Sequence, residues 1–208
     1  MLNKLDVAAH SAQTIARAFV EARHNVKVLK DFPGPQPQSF NDAYAIQSSA
    51  LAIDGRAVGG WKVGLVKPPL SDELGIDRLS GPIFADMIVS AQADKITDMP
   101  IFSEGFAAAE AELMFRVARP ALGDVRAFDD AQILGLIDRV HVGMEIASSP
   151  FPGINSHGPF VTVSDFGNNC GLLIGPELPN WKTRDLTAVQ ARLTIDGIEQ
   201  GAGDMALL

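Results

Sequence analysis

The sequence predicts an α+β protein, N-terminal helices followed by a mixed, rolled, barrel-like sheet. Three observations lead there. Apolar residues recur at three- and four-residue steps from Leu5 to about residue 24 and again from Ala43 to Ala50; from Gly59 onward short apolar runs are punctuated by Gly and Pro; and Asp196-Gly197, a strong hairpin signal, separates two strand-like runs near the end. Two helices, many short strands and one inserted helix make an α+β pattern.

The first helix spans residues 5 to about 24, where Leu5, Ala8, Ala9, Ala12, Ile15, Ala16, Phe19 and Val20 form one apolar stripe. The stretch D-F-P-G-P-Q-P-Q-S-F, 31–40, excludes regular structure, because each proline removes a backbone donor and restricts the residue before it. A second helix follows, capped by Ser39 or Asn41 and running through Ala43, Ile46, Gln47 and Ala50 toward Gly55. G-G-W-K-V-G-L and G-P-I-F-A-D-M-I-V then read as strands. Asp129 or Asp130 caps a later helix from Ala131 to about Val140. V-G-M-E-I-A, P-F-V-T-V, G-L-L-I-G-P and L-T-I-D-G-I-E-Q read as strands again.

With 208 residues the chain can bury a real core in one domain, with room for a small terminal subdomain. Seventeen Lys and Arg against 25 Asp and Glu give a net charge of −8, with no basic cluster, which argues against nucleic acid as a partner. The same balance repels a small anionic substrate at long range, so such a ligand needs a local lysine or a bound cation. The single cysteine, Cys170, rules out an intramolecular disulfide and reads as a small structural residue. Charges interrupt the N-terminal apolar residues, and no apolar run approaches the ~20 residues that span a bilayer. A soluble, cytoplasmic protein with no membrane partner is expected.

The phosphate loop, the dinucleotide fingerprint, the nucleophile elbow and paired zinc-binding histidines are all absent. His10, His24, His141 and His157 are scattered and read as surface or satisfied core residues. The candidates for chemistry lie elsewhere. In A-A-A-E-A-E-L-M-F-R-V, 107–117, propensity favours a helix while the alternation of Glu110 and Glu112 with Ala109, Ala111, Leu113 and Phe115 favours a strand. On a strand the two carboxylates leave one face together; they repel unless a cation lies between them, and hard oxygen ligands suit Mg²⁺ or Mn²⁺. The plain alternative is a polar face in water. Glu145 lies opposite Val142, Met144 and Ile146 and between the small residues Gly143 and Ala147, which leaves space above it for a metal or ligand. Lys62 shares its strand face with Gly60 and Gly64, opposite Trp61, Val63 and Leu65, as an exposed charge or as a group with room to reach a substrate. Asp86 follows an apolar strand and either caps a turn or pairs with Lys62.

Six segments, in order, resemble the hydratase branch of the fumarylacetoacetate hydrolase superfamily, which includes 2-keto-4-pentenoate (2-hydroxypentadienoate) hydratase and 4-oxalocrotonate decarboxylase. They are D-A-Y-A-I-Q (42–47), G-W-K-V-G (60–64), G-P-I-F-A-D-M (81–87), A-E-A-E-L-M-F (109–115), G-M-E-I-A-S-S (143–149) and S-D-F-G-N-N-C-G-L-L-I-G (164–175). The specificity lies in the ordered set. The resemblance implies the fold type of that superfamily's C-terminal domain, with an N-terminal helical subdomain (1–57) and a catalytic β-rich domain (58–208). It implies that Glu110, Glu112 and Glu145 hold Mg²⁺ or Mn²⁺, that Lys62 and Asp86 move protons, and that 107–117 is a strand. The implied activity is hydration of a small 2-keto-4-enoate or 2-hydroxydienoate acid in aromatic-compound catabolism by a homo-oligomer. Decarboxylation, or hydrolysis of a carbon–carbon bond, is the alternative within the same fold.

Two departures from the family pattern stand out. Where its hydratases carry Ser in a D-N-A-S segment, this chain has Asn168 or Asn169, and Asn168 is assigned to substrate binding. Family members also continue past the position of G-A-G-D-M-A-L-L with a helix and final strands. A natural end at Leu208 would leave sheet edges and the pocket open, and a non-catalytic truncated remnant is the reading from a different functional class.

Overall fold

A computed structural model describes residues 4–92, 94–118 and 128–204, with residues 4–10 as backbone only. The expectation about the end of the chain falls on residues 205–208, outside those described. The order is α1 (Lys4–His24), α2 (Phe40–Asp54), β1 (Val58–Leu65), α3 (Leu70–Leu74), β2 (Arg78–Phe84), β3 (Ile88–Ser90), β4 (Phe106–Val117), α4 (Asp130–Leu134), β5 (Ile137–Ser149), α5 (Pro159–Ser164), β6 (Asn169–Glu177), β7 (Gln190–Ile195) and β8 (Ile198–Asp204). Short 3₁₀ turns at Ala85–Met87 and Phe166–Asn168 interrupt the strands. The α+β class is therefore observed. Among the described residues the sheets stay open: β1–β2, then β3-β6-β5-β4, then β7–β8.

The chain forms two compact units, Met1–Glu110 with Glu145–Leu173, and Ala111–Met144 with Ile174–Leu208. The boundaries between them fall within β4, β5 and β6. In the first unit, Ile15, Ala16, Phe19 and Val20 of α1 and Ile46 and Ala50 of α2 are buried with Phe84, Phe151, Ile154, Val161 and Phe166. Burying such side chains contributes about 1.5–3 kcal/mol each, and this core carries the unit. Ser39 caps α2 by accepting from the Asp42 N–H, and Gly55 ends it with φ 74°. Gln47, buried on α2, donates to the carbonyls of Ser80 and Val163 and so ties α2 to β2 and α5. The second unit has a smaller core of Val140, Leu178 and Trp181. Its β7–β8 hairpin turns on Asp196 and Gly197, both at positive φ as a type I′ turn requires.

Two segments differ from the sequence expectation. The helix expected from Ala131 to Val140 stops at Leu134. Asp129 and Gln132 form a capping box, but Gly135 closes the helix and β5 begins at Ile137, where Ile137, Val140 and Val142 pack with the second core. P-F-V-T-V, expected as a strand, is helix α5. Pro159 occupies its first turn, where proline is pre-organised for a helix, and the β-branched Val161, Thr162 and Val163 are all buried. Tertiary burial overrides strand propensity there.

Candidate metal centre

β4 is a strand of twelve residues, and its pleat runs against the usual rule. Glu110 and Glu112 lie half-buried with Phe106 and Ala108, while Ala107, Ala109 and Ala111 are exposed. The carboxylates face inward, and Ala107, Ala109 and Ala111 face outward. On the neighbouring strand β5, Glu145 is buried. Oxygens of Glu110, Glu112 and Glu145 all lie within 4.8 Å of one another. Three hard oxygen donors at that separation fit Mg²⁺, Mn²⁺ or Ca²⁺, whose oxygen ligands lie about 2.0–2.6 Å from the ion.

β1 is inverted in the same way. Trp61, Val63 and Leu65 are exposed, and the Lys62 side chain is only 10 % exposed, its Nζ 3.5 Å from Glu145 Oε2. The room for it comes from glycine. Lys62 lies opposite Gly81 across the β1–β2 pair, and a side chain at Gly81 would run into the Phe166 backbone. The Phe166–Asn168 turn therefore comes down on β2, with Gly167 against the Lys62 stem. All three turn residues are left-handed, at φ 55°, 64° and 58°, which costs about 1 kcal/mol or more at each non-glycine position.

The turn delivers two amides. Asn169 Nδ2 donates to Glu145 Oε1 at 2.9 Å. Asn168 is 4 % exposed; its Nδ2 donates to Asn155, and its Oδ1 is the buried side-chain atom without a hydrogen-bond partner among the described residues. Burial pushes the Glu145 carboxyl above its ordinary range, Lys62 and Asn169 pull it back, and Glu110 adds to the rise. A cation there would relieve both the repulsion and the burial.

Asp86 is placed differently. It is 57 % exposed in the Ala85–Met87 turn and pairs with Arg56, whose Nη1 is 3.6 Å away. Of the two expected roles, pairing with Lys62 gives way to pairing with Arg56, while Lys62 faces Glu145. Arg56 is fixed in turn by a two-point bond to Asp54 and lies 3.9 Å over the Phe84 ring. The structure thus brings Lys62, Glu110, Glu112 and Glu145 together, seats Asn168 on the adjoining turn, and leaves Asp86 facing Arg56.

The amide that touches the cluster is Asn169 rather than Asn168. Sequence reasoning also missed Arg23, whose guanidinium bonds the Asn169 carbonyl. A signal existed: Arg23 is four residues after Phe19 and three after Val20, on the buried stripe of α1. The histidines have ordinary partners, His24 with Asp54, His141 with the Gly175 carbonyl and His157 with Gln36, while the His10 side chain lies outside the described residues. Cys170 packs against the Pro100 carbonyl, and burial pushes its thiol up, away from the reactive thiolate.

No protein-family model matches the chain, and no curated protein does. Solved structures do. A 4-oxalocrotonate decarboxylase from Pseudomonas putida G7 complexed with calcium and acetate matches with a TM-score of 0.67 at 19% identity, over 98% of this chain and 74% of that one. The same enzyme complexed with magnesium and adipate gives 0.68 at 20% identity, over 98% and 75%. This chain has their fold. At that identity the likeness concerns the path of the backbone, and the chemistry rests on the side chains of this chain. No helix among the described residues is long and apolar enough to cross a membrane.

Proposed function

We propose that this protein is a divalent-metal-dependent lyase of the fumarylacetoacetate hydrolase superfamily, hydrating a small 2-keto-4-enoate or 2-hydroxydienoate acid. The observation that carries the reading is the inward-facing trio Glu110, Glu112 and Glu145, with Lys62 beside it. The name and ligands of the structural neighbours, a decarboxylase seen with calcium or magnesium and with small carboxylic acids, support it. Cytoplasmic location and homo-oligomeric assembly belong to the same proposal.

The three carboxylates would hold Mg²⁺ or Mn²⁺. When bound, the ion supplies Lewis acidity and the positive charge that the acidic surface lacks. Lys62, shielded from water and set against Glu145, holds a proton at Nζ and delivers or accepts it as the substrate changes tautomer. Asp86, steadied by Arg56, is the second proton carrier. Asn168 Oδ1 accepts a hydrogen bond from a substrate hydroxyl, satisfying an atom that is otherwise buried at a cost of about 1–3 kcal/mol.

The test is loss of dienoate absorbance with added Mg²⁺, with chelator, and in Glu110→Gln. Turnover is expected with the ion and absent in the other two; turnover that survives both overturns the metal reading. Product mass separates the second reading, decarboxylation, which the neighbours' activity favours. Hydration adds water without fragmentation, whereas decarboxylation releases carbon dioxide. A folded protein with neither turnover nor a Mg²⁺-induced thermal shift would instead be the non-catalytic remnant.

A further inference from the structure

Arg23 lies in the last turn of α1 and touches none of the three glutamates, yet its side chain is 6 % exposed and each of its three nitrogens donates a hydrogen bond. Nε donates to Asp165 Oδ1 at 2.6 Å and Nη2 to Oδ2 at 2.9 Å. Nη2 also reaches the carbonyls of Ser148 and Asp165, at 3.2 and 3.3 Å, and Nη1 that of Asn169 at 3.0 Å. Ser149 Oγ donates to Asp165 Oδ2 at 2.6 Å. The guanidinium also lies 5.3 Å from the Phe166 ring. These bonds grip the left-handed turn from both ends, Asp165 just before it and Asn169 just after.

A buried ion pair is weak evidence for a stabilising role, because desolvation offsets most of the attraction. Its placement says more. The Asn169 carbonyl bonded by Arg23 and the Asn169 amide bonded to Glu145 belong to one residue, so fixing the first aims the second. Ser148, also held by Arg23, lies on β5 three residues beyond Glu145. A lysine keeps the charge but lacks the planar fork needed to meet Asp165 at two points while bonding Asn169.

We propose that Arg23 is a positioning residue for the metal centre, acting through Asn169 to orient Glu145 as a ligand. This rests on the metal reading above. The test is Mn²⁺ affinity of the full chain, measured by paramagnetic resonance of the free ion, for the unmodified protein, Arg23→Lys, Asn169→Ala and the double variant. Thermal melting of each without metal is recorded alongside.

Arg23→Lys and Asn169→Ala are each expected to weaken Mn²⁺ binding by roughly tenfold or more, in the range of ligand-orienting partners. The double variant is expected to bind no more weakly than Asn169→Ala alone. A purely structural arginine would lower the melting temperature in both backgrounds and leave the affinity of the folded protein unchanged. That result, or effects of the two substitutions that multiply, overturns the inference alone. Failure of the unmodified protein to bind Mn²⁺ overturns the metal reading and this inference with it. If Arg23→Lys does not fold, Ser149→Ala loosens the same clamp from the Asp165 side and is read in the same cycle.

Discussion

Two arginine–aspartate pairs in this chain share their chemistry and differ in their surroundings. Arg23 and Asp165, in the first unit, are 6 % and 0 % exposed and enclosed by carbonyls and two aromatic rings. Arg116 and Asp138, in the second, are 52 % and 38 % exposed on the faces of β4 and β5. Water replaces either partner of the exposed pair at little cost, so its geometry reports proximity more than stability. Neither partner of the buried pair can be removed without stranding the other. Several of the polar groups that are costly to bury, Glu145, Asn168, Asn169 and the Arg23–Asp165 pair, are linked to the carboxylate trio or to the turn beside it, and that is where function should be sought.

The widest separation should appear on breaking the buried pair from one side. Arg23→Met leaves the Asp165 carboxylate unpaired and is expected to cost about 3–5 kcal/mol in denaturant unfolding, whereas Arg23→Met with Asp165→Leu should cost clearly less. A single substitution no worse than the double would place the pair on a par with a surface contact. Next comes Gly81→Ala, which drives a methyl group into the Phe166 backbone and is expected to cost about 1–3 kcal/mol while lifting the turn off Lys62. Mn²⁺ affinity should fall with it, and an unchanged affinity would separate the turn from the metal centre.

A pH titration probes the same polar cluster. The folded protein holds the Glu145 proton more tightly than the unfolded chain, so ionised Glu145 lowers stability at neutral pH. That penalty is relieved as pH falls through the raised folded value toward 4.5, the ordinary value. Metal binding has the opposite sign, because the ligand must be ionised, and Mn²⁺ affinity should decline over the same window. Affinity that stays flat down to pH 4.5 would contradict a buried glutamate ligand. The smallest effect belongs to the exposed pair: Arg116→Ala is expected to leave the melting temperature and Mn²⁺ affinity where they were.

Strand faces were legible in the sequence because the pleat has period two: the sets Lys62/Gly60/Gly64 and Glu110/Glu112 were separated correctly from their neighbours. Alternation does not say which face turns inward. On β1 and β4 the polar set does, and Trp61, Val63 and Leu65 stay outside, against the usual direction of burial. The helix–strand conflict over 107–117 ends in favour of the strand, as pairing with β5 outweighs alanine and glutamate propensity. The α5 error has the same origin, since V-T-V carries strand propensity while its burial is decided by distant residues. Arg23 stayed hidden because its partners, Asp165 and Asn169, follow it by 142 and 146 positions, beyond any local pattern. The last turn of a helix is also where an arginine is expected for its charge alone.

The inverted strand β1 has a practical consequence. It presents Trp61, 55 % exposed, immediately beside Lys62, while the second of the chain's two tryptophans, Trp181, is 8 % exposed in the core of the other unit. A collisional quencher such as acrylamide will reach the first indole and spare the second. Fluorescence of the unmodified protein can therefore follow the two units separately, with Trp61→Phe isolating Trp181.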